Sequence, residues 1–193
     1  MSLACASDKL CRVCGRLFHP FNSTATVCSG PCGVKYGKGL EKARKVKAKA
    51  ERKHDRATKE ATKTLPTLHK EARFWFNRWT RLRDAREPCI SCGAPPPDLS
   101  ALHAGRDAGH YRSVGSAGHL RYTESNVAAQ CVHCNQYLAG NPIGYRKGLI
   151  ARRGLEVVEA LENNNEPEKW RRDQVRAIRD DYKQRCKELE GKA

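Results

Sequence analysis

Apolar residues recur at three- and four-residue steps in two stretches of the chain. In His69–Arg86, Ala72, Phe76, Trp79 and Leu82 fall on one helical face, with Trp75 beside them. In Glu168–Glu190, Val175, Ile178, Tyr182, Cys186 and Leu189 repeat in the same way. Each pattern predicts a helix with one face in a core. Aromatics beside arginines also stack on bases, but helical spacing favours a buried stripe for the first. Gly39–Leu65 differs, having no Gly or Pro after its first residue and being rich in Ala, Lys, Glu and Arg, which predicts a long helix by propensity alone. Pro142–Arg152 and Leu155–Glu162 are two further helices, followed by an asparagine-rich break at Asn163–Asn165. Between the helices lie two units rich in turn residues. One is Cys11–Cys32, with Gly15, Pro20, Gly30, Pro31 and Gly33; the other runs from Cys89 to about Asn141. The organisation that follows is 5–37, a small cysteine module; 38–65, a basic helical arm; 66–141, the second cysteine unit with its aromatic helix; and 142–193, a helical region.

Composition sharpens this picture. Only 39% of the 193 residues are hydrophobic and the mean hydropathy is -0.75, which argues against one large core and for modules stabilised in another way. Ten cysteines supply the means, because eight of them form four close pairs. The 37 basic and 21 acidic residues leave a net charge of +16, which attracts polyanions, so nucleic acid is the expected partner. No apolar run approaches the ~18 residues of a spanning helix, which excludes a membrane role of that kind. Met1–Leu10 lacks the pattern of a secretory signal, and a reducing cytosol is the expected compartment, that of a bacterial host if a phage encodes the chain. Paired cysteines there mean metal before disulfides. Lys35–Lys63 holds twelve Lys or Arg against four Asp or Glu, which makes Lys42, Arg44, Lys45 and Lys49 candidate DNA contacts; a solvated helix or linker is the plainer role, and both can coexist.

Cys11-x2-Cys14 and Cys28-x3-Cys32 stand thirteen residues apart, and four thiolates so placed suit tetrahedral zinc. His19 is a surface or packing residue beside them, and Cys5 and Cys186 are ordinary thiols. In the second set, Cys89-x2-Cys92 and Cys131-x2-Cys134 enclose thirty-eight residues, so a second zinc clamps an inserted structure. That insert contains Asp107, His110, His119 and Asn126, and Asn135 follows the last cysteine. Oxygen and imidazole groups held around a rigid metal staple are what an active site needs.

The run Cys89-Ile-Ser-Cys92-Gly, Asp107-Ala-Gly-His110-Tyr-Arg, Leu120-Arg-Tyr-Thr-Glu124-Ser-Asn126, Gln130-Cys131-Val-His-Cys134-Asn135 and Gly140-Asn141 resembles the NinG family of lambdoid phages, also known as Rap. The likeness spans nearly the whole chain. It implies an α+β, mostly helical fold with a zinc-stapled ββα-metal core of the HNH type, and a structure-selective endonuclease that cuts branched recombination intermediates such as D-loops and Holliday junctions. On that reading the first strand is about Arg106–Arg112, the second Leu120–Tyr122, and the helix Asn126–Tyr137. His110 is then the general base, an imidazole suited to neutral pH. Asn126 orients the base or its loop; helix capping is its plainer role. Asp107 and Asn135 bind a catalytic Mg²⁺ or Mn²⁺, since hard cations prefer oxygen ligands. Asp107, for which a surface turn is the plainer role, lies an odd step from His110, and a bulge at Gly109 would bring the two together. Arg112, Arg121 and Arg146 are candidate phosphate contacts, and His103, His119 and His133 are bystanders. The chain departs from the family pattern at Ala128 and Ala129, where relatives carry a histidine, and this bears directly on catalysis. The alternative function is a non-catalytic, zinc-dependent protein that binds or scaffolds DNA junctions. A homodimer, and a recombinase or strand-annealing partner, complete the expectations. RNA binding fits the charge, but no RNA-binding motif supports it.

Overall fold

The computed structural model describes residues 7–96, 105–167 and 169–191, which form two compact units divided between Thr62 and Lys63.

In the first unit, β1 (Lys9–Leu10) pairs antiparallel with β2 (Leu17–Phe18). The turn between them carries Cys11 and Cys14 and closes through the Gly15 N–H on the Cys11 carbonyl at 2.9 Å. Helix α1 (Gly30–Ala61) begins inside the cysteine cluster, nine residues before the expected Gly39. Pro31 in its first turn presets the helical φ, and Cys32 ties that turn to the cluster, so three early glycines are carried along without breaking it. At 32 residues α1 is ~48 Å long, and none of its residues is buried.

The second unit is built on α2 (Leu65–Arg83) and α5 (Arg172–Glu190), packed along one another. Leu68, Ala72, Phe76 and Trp79 meet Val175, Tyr182 and Cys186, and the Phe76 and Tyr182 rings stand edge to face at 4.7 Å. These are the stripes that the sequence pattern marks. Helix α2 starts four residues earlier than expected because Pro66 occupies its first turn; α5 starts at Arg172, four later than Glu168. Helices α3 (Pro142–Arg153) and α4 (Leu155–Asn163) stand where the sequence places them.

Between the two helical layers runs an antiparallel ribbon, β3 (Arg106–His110) with β4 (Val127–Cys131), paired from Arg106↔Cys131 to His110↔Val127. Here three expectations are corrected. The second strand is Val127–Cys131, whereas Leu120–Tyr122 lies in a 3-10 turn. Its Leu120 enters the core with Ile90, Tyr145 and Leu149, and its Tyr122 enters the core of α2 and α5, which mimics strand alternation. The expected helix Asn126–Tyr137 is reduced to one π-helical turn, His133–Tyr137, because residues 127–131 are extended in the ribbon. Nor is there a bulge at Gly109, which pairs regularly with Ala128.

The ribbon is anchored to α2 by Asp84 and Arg83. Buried Asp84 accepts the Ala129 N–H at 2.9 Å, and Arg83 donates to the Val127 carbonyl at 2.8 Å. Among the described residues no helix is long and apolar enough to cross a membrane.

Candidate functional site

The cysteines assemble as their spacing predicts. Within each set of four, Cys11, Cys14, Cys28, Cys32 and Cys89, Cys92, Cys131, Cys134, all sulfurs lie within 4.8 Å of one another. Separations of 3.5 Å for Cys14–Cys28 and 3.8 Å for Cys28–Cys32 and Cys92–Cys131 match the ~3.8 Å edge of a tetrahedron with Zn–S bonds of about 2.3 Å. Backbone N–H groups already point at the sulfurs, Cys28 at Cys11 (3.4 Å) and Cys131 at Cys89 (3.3 Å). The Cys14 amide, foremost among such donors, lowers the Cys11 thiol to about 6; at Cys89 burial pushes upward but the amides of Cys131, Cys92 and Ser91 prevail, leaving it at about 7. Both sets therefore fit structural zinc. His19 sits on Asp8 at 3.1 Å, outside the ligand set. Cys186 is buried between α2 and α5, and Cys5 and His103 lie outside the described residues.

The second knuckle is pressed onto α3. A Cβ at Gly148 would stand 1.8 Å from the Ile90 carbonyl oxygen, and one at Gly144 would stand 2.3 Å from that of Ser91, so only glycine permits this contact. Asn141 caps α3 through Gly144 N and reaches the Cys134 sulfur at 3.6 Å.

On this rigid edge Asp107 and Asn135 come together. Asn135 Nδ2 and Gln136 Nε2 each donate to Asp107 Oδ2 at 2.8 Å. Gln136 was not singled out by sequence reasoning, although it adjoins Asn135. The amide N–H groups face the carboxylate, so Asn135 and Gln136 hold Asp107 in place by hydrogen bonding.

His110 lies elsewhere. Strand alternation directs it, with Ala108, toward α2, away from Asp107 and roughly 10 Å further along β3. Its Nε2 faces the Arg121 carbonyl at 3.2 Å. Burial lowers its pKa, hydrogen bonding to the Arg121 and Ala108 backbone opposes this, and the charges of Arg121 and Arg73 add to the lowering, which favours the neutral imidazole. Buried Asn126 braces that loop, donating to the Arg112 and Leu120 carbonyls (3.0 and 3.2 Å) and accepting from Arg112 N (2.8 Å). Sequence reasoning missed two neighbours, His69 and Arg73. They stand four apart on α2, and His69 meets the Tyr122 hydroxyl at 3.0 Å. Their spacing is the one available signal; the approach of α2 to the ribbon is tertiary.

The candidate phosphate contacts divide. Arg112 is committed to the end of α4, donating to the Leu161 and Asn164 carbonyls at 2.8 and 2.6 Å. Arg146 pairs with Glu162 at 2.8 Å; that pairing first, then the Tyr111 hydroxyl, holds Glu162 down at about 2. Arg121 has a buried Nε without a hydrogen-bond partner and lies against the Tyr122 hydroxyl. Lys42, Arg44, Lys45 and Lys49 are exposed on α1, where Lys45 and Lys49 share a shallow groove with Arg52, Lys53 and Arg56.

A basic, mostly helical α+β protein with two four-cysteine metal sites is the class that this fold and its chemistry define. The model for the Bacteriophage Lambda NinG protein family matches residues 4–192, and the chain belongs to that family. It is 35% identical to Protein ninG of Escherichia phage lambda over 96% of this chain and 92% of that one. It is 35% identical to Protein ninG of Salmonella phage P22 over 91% and 90%, and 34% identical to that of Escherichia phage 933W over 97% and 96%. No solved structure matches it.

Proposed function

We propose that this protein is a metal-dependent DNA endonuclease of the HNH type, cutting branched intermediates of phage recombination, D-loops and Holliday junctions among them. One observation carries the reading: His110 is held through Nε2 on the Arg121 carbonyl, and its burial lowers its pKa and favours the neutral imidazole that a general base needs. In the reaction His110 removes a proton from water, the water oxygen bonds to phosphorus, and the phosphodiester oxygen departs. Asn126 keeps the loop behind the base in place, and Arg121 and Arg73 offer positive charge to the phosphate on that side. A divalent cation held by Asp107, Asn135 and Gln136 would supply further charge neutralisation. Two structural zincs hold the frame. The net charge of +16 supplies affinity for DNA of any sequence.

A second reading, a junction-binding protein without catalysis, is favoured by the separation of His110 from Asp107 and Asn135 on opposite faces of the ribbon, and by Ala128 and Ala129 in β4. Cleavage of flap, D-loop and four-way substrates with and without Mg²⁺ or Mn²⁺, duplex as control, separates the two. The nuclease reading expects His110→Ala to abolish cutting while zinc content and binding persist, and Asn135→Ala to raise the Mg²⁺ requirement. Full cutting by purified His110→Ala removes this mechanism.

A further inference from the structure

The turn that follows the second zinc knuckle carries a surface that neither the metal sites nor His110 uses. His133 and Tyr137, both exposed, bracket the single π-helical turn and stack on each other, with ring centroids 6.1 Å apart and 24° between planes. Tyr137 is 76% exposed and Ile143 74%, the two most exposed large apolar side chains among the described residues of the second unit. A π turn is a rare and costly element, and the chain here also holds non-glycine Ala139 at φ 48°. Hydrogen bonds from Leu138 N to the His133 carbonyl (3.1 Å) and from Gly140 N to the Cys134 carbonyl (2.9 Å) lock the turn to the knuckle. The backbone that carries the exposed ring is thus tied to the cysteine knuckle.

The stacked rings and the composition of the chain that continues from them select the occupant. Residues 132–153 contain no Asp or Glu, and Lys147 and Arg153 are exposed with no acidic partner among the described residues. Gln136, the residue before Tyr137, is bonded to Asp107, so the ring lies beside the candidate cation site. A flat, exposed aromatic face on an acid-free stretch of a chain with net charge +16 fits a base that has lost its own stacking neighbour.

We propose that the His133–Tyr137 pair is a stacking platform for an unpaired base at a DNA branch, and that it discriminates branched from continuous DNA. The proposal rests on the DNA-branch reading above but not on catalysis. Within a duplex each base is already stacked, so the platform gains nothing; at a branch the terminal base is free to cover Tyr137.

The test uses full-length, zinc-loaded protein without Mg²⁺, a three-way DNA carrying 2-aminopurine beside the branch, and a duplex of the same sequence. Wild type should bind the branched form more tightly and quench the 2-aminopurine. Tyr137→Ala should lose about tenfold in affinity for the branched form, with the quench, and leave duplex binding unchanged; Tyr137→Phe should retain both. Two zincs per chain in each variant confirm that the frame is intact. Equal loss on duplex, or no loss at all, overturns the platform. So does a change in oligomeric state of Tyr137→Ala with branch preference kept, which assigns the surface to a second copy. Branch preference and quench without cleavage in Mg²⁺ or Mn²⁺ would fell the nuclease reading and leave the platform standing; cleavage with preference intact in Tyr137→Ala does the reverse.

Discussion

In residues 7–62 only Cys11, Pro20 and Ala25 are buried, whereas in the second unit Cys89 and Cys134 belong to an interior that also holds Phe76, Tyr145 and Leu149. The two metal sites share a ligand set and differ in what surrounds it. In the first unit a four-cysteine cluster that fits zinc stands in place of a core, and a 32-residue basic helix is attached directly to it. In the second, the cluster would join one end of a two-stranded ribbon to α3, while two apolar clusters fix the ribbon on both faces. The same chemistry thus serves as the whole foundation in one place and as a positioning clamp in another.

The largest effect that can break this comparison is loss of metal. Because zinc binding by such sites is worth ~10–16 kcal/mol of folding free energy, Cys11→Ser should erase hydrogen-exchange protection throughout residues 7–30. Cys134→Ser should release the knuckle and α3 while α2 and α5 stay protected. Equal collapse of both units would mean that the second has no independent core. Next in size is Gly148→Ala, which forces a Cβ against the Ile90 carbonyl and should destabilise the second unit by about 3 kcal/mol in denaturant melts. Gly37→Ala, where nothing lies within 4 Å, should instead strengthen α1 by about 0.5–1 kcal/mol. A harmless Gly148→Ala would show that the knuckle rides loosely on α3.

Neutralising Lys42, Arg44, Lys45 and Lys49 together should weaken binding to every DNA form alike and flatten the salt dependence by up to ~0.9 for each phosphate no longer neutralised. Collapse on one branched form alone would make α1 a reader of shape. The smallest effect is acid sensitivity confined to the second unit. Burial, aided by Arg121, lowers the pKa of both His69 and His110, with Arg73 a further neighbour of His110. The unfolded chain therefore binds protons first as pH falls below the ordinary imidazole value of about 6.5. Stability is full above that value and declines below it, until the lower folded values are reached. Melts of wild type and His69→Gln from pH 7.5 to 5 should show a shallower decline in the variant; parallel curves would remove His69 from the account.

Where a helix buries one face, the sequence showed it. Phe76 and Trp79, Tyr182 and Cys186 recur with the helical period because each meets a core on one side only. Strand β4 had no such signature, since Val127, Ala128, Ala129 and Gln130 are all buried, on both faces, and alternation disappears. The cysteines were legible because zinc needs close pairs; Asp107 and Asn135, expected as ligands of one cation, are hydrogen-bonded to each other. That Arg112 bonds the end of α4 was not legible: open helix carbonyls attract a guanidinium as a phosphate would, and composition cannot tell the two apart. Arg73 and His69 were invisible because their role depends on where α2 comes to rest.

The pairing of α2 with α5 has a consequence in time. Residues 84–171 separate the two helices, and at ~5–20 residues per second a ribosome needs roughly 5 to 20 seconds to make them. For that interval Phe76 and Trp79 emerge without the face that covers them, and His69 and Arg73 have no fixed scaffold to approach. A chain halted before Arg172 would carry every cysteine of both clusters and still lack the surface that seats α2. Helix α5, translated after the rest of the second unit, is therefore the one that completes it, and a nascent chain held on the ribosome short of it should bind chaperones at the aromatic face of α2.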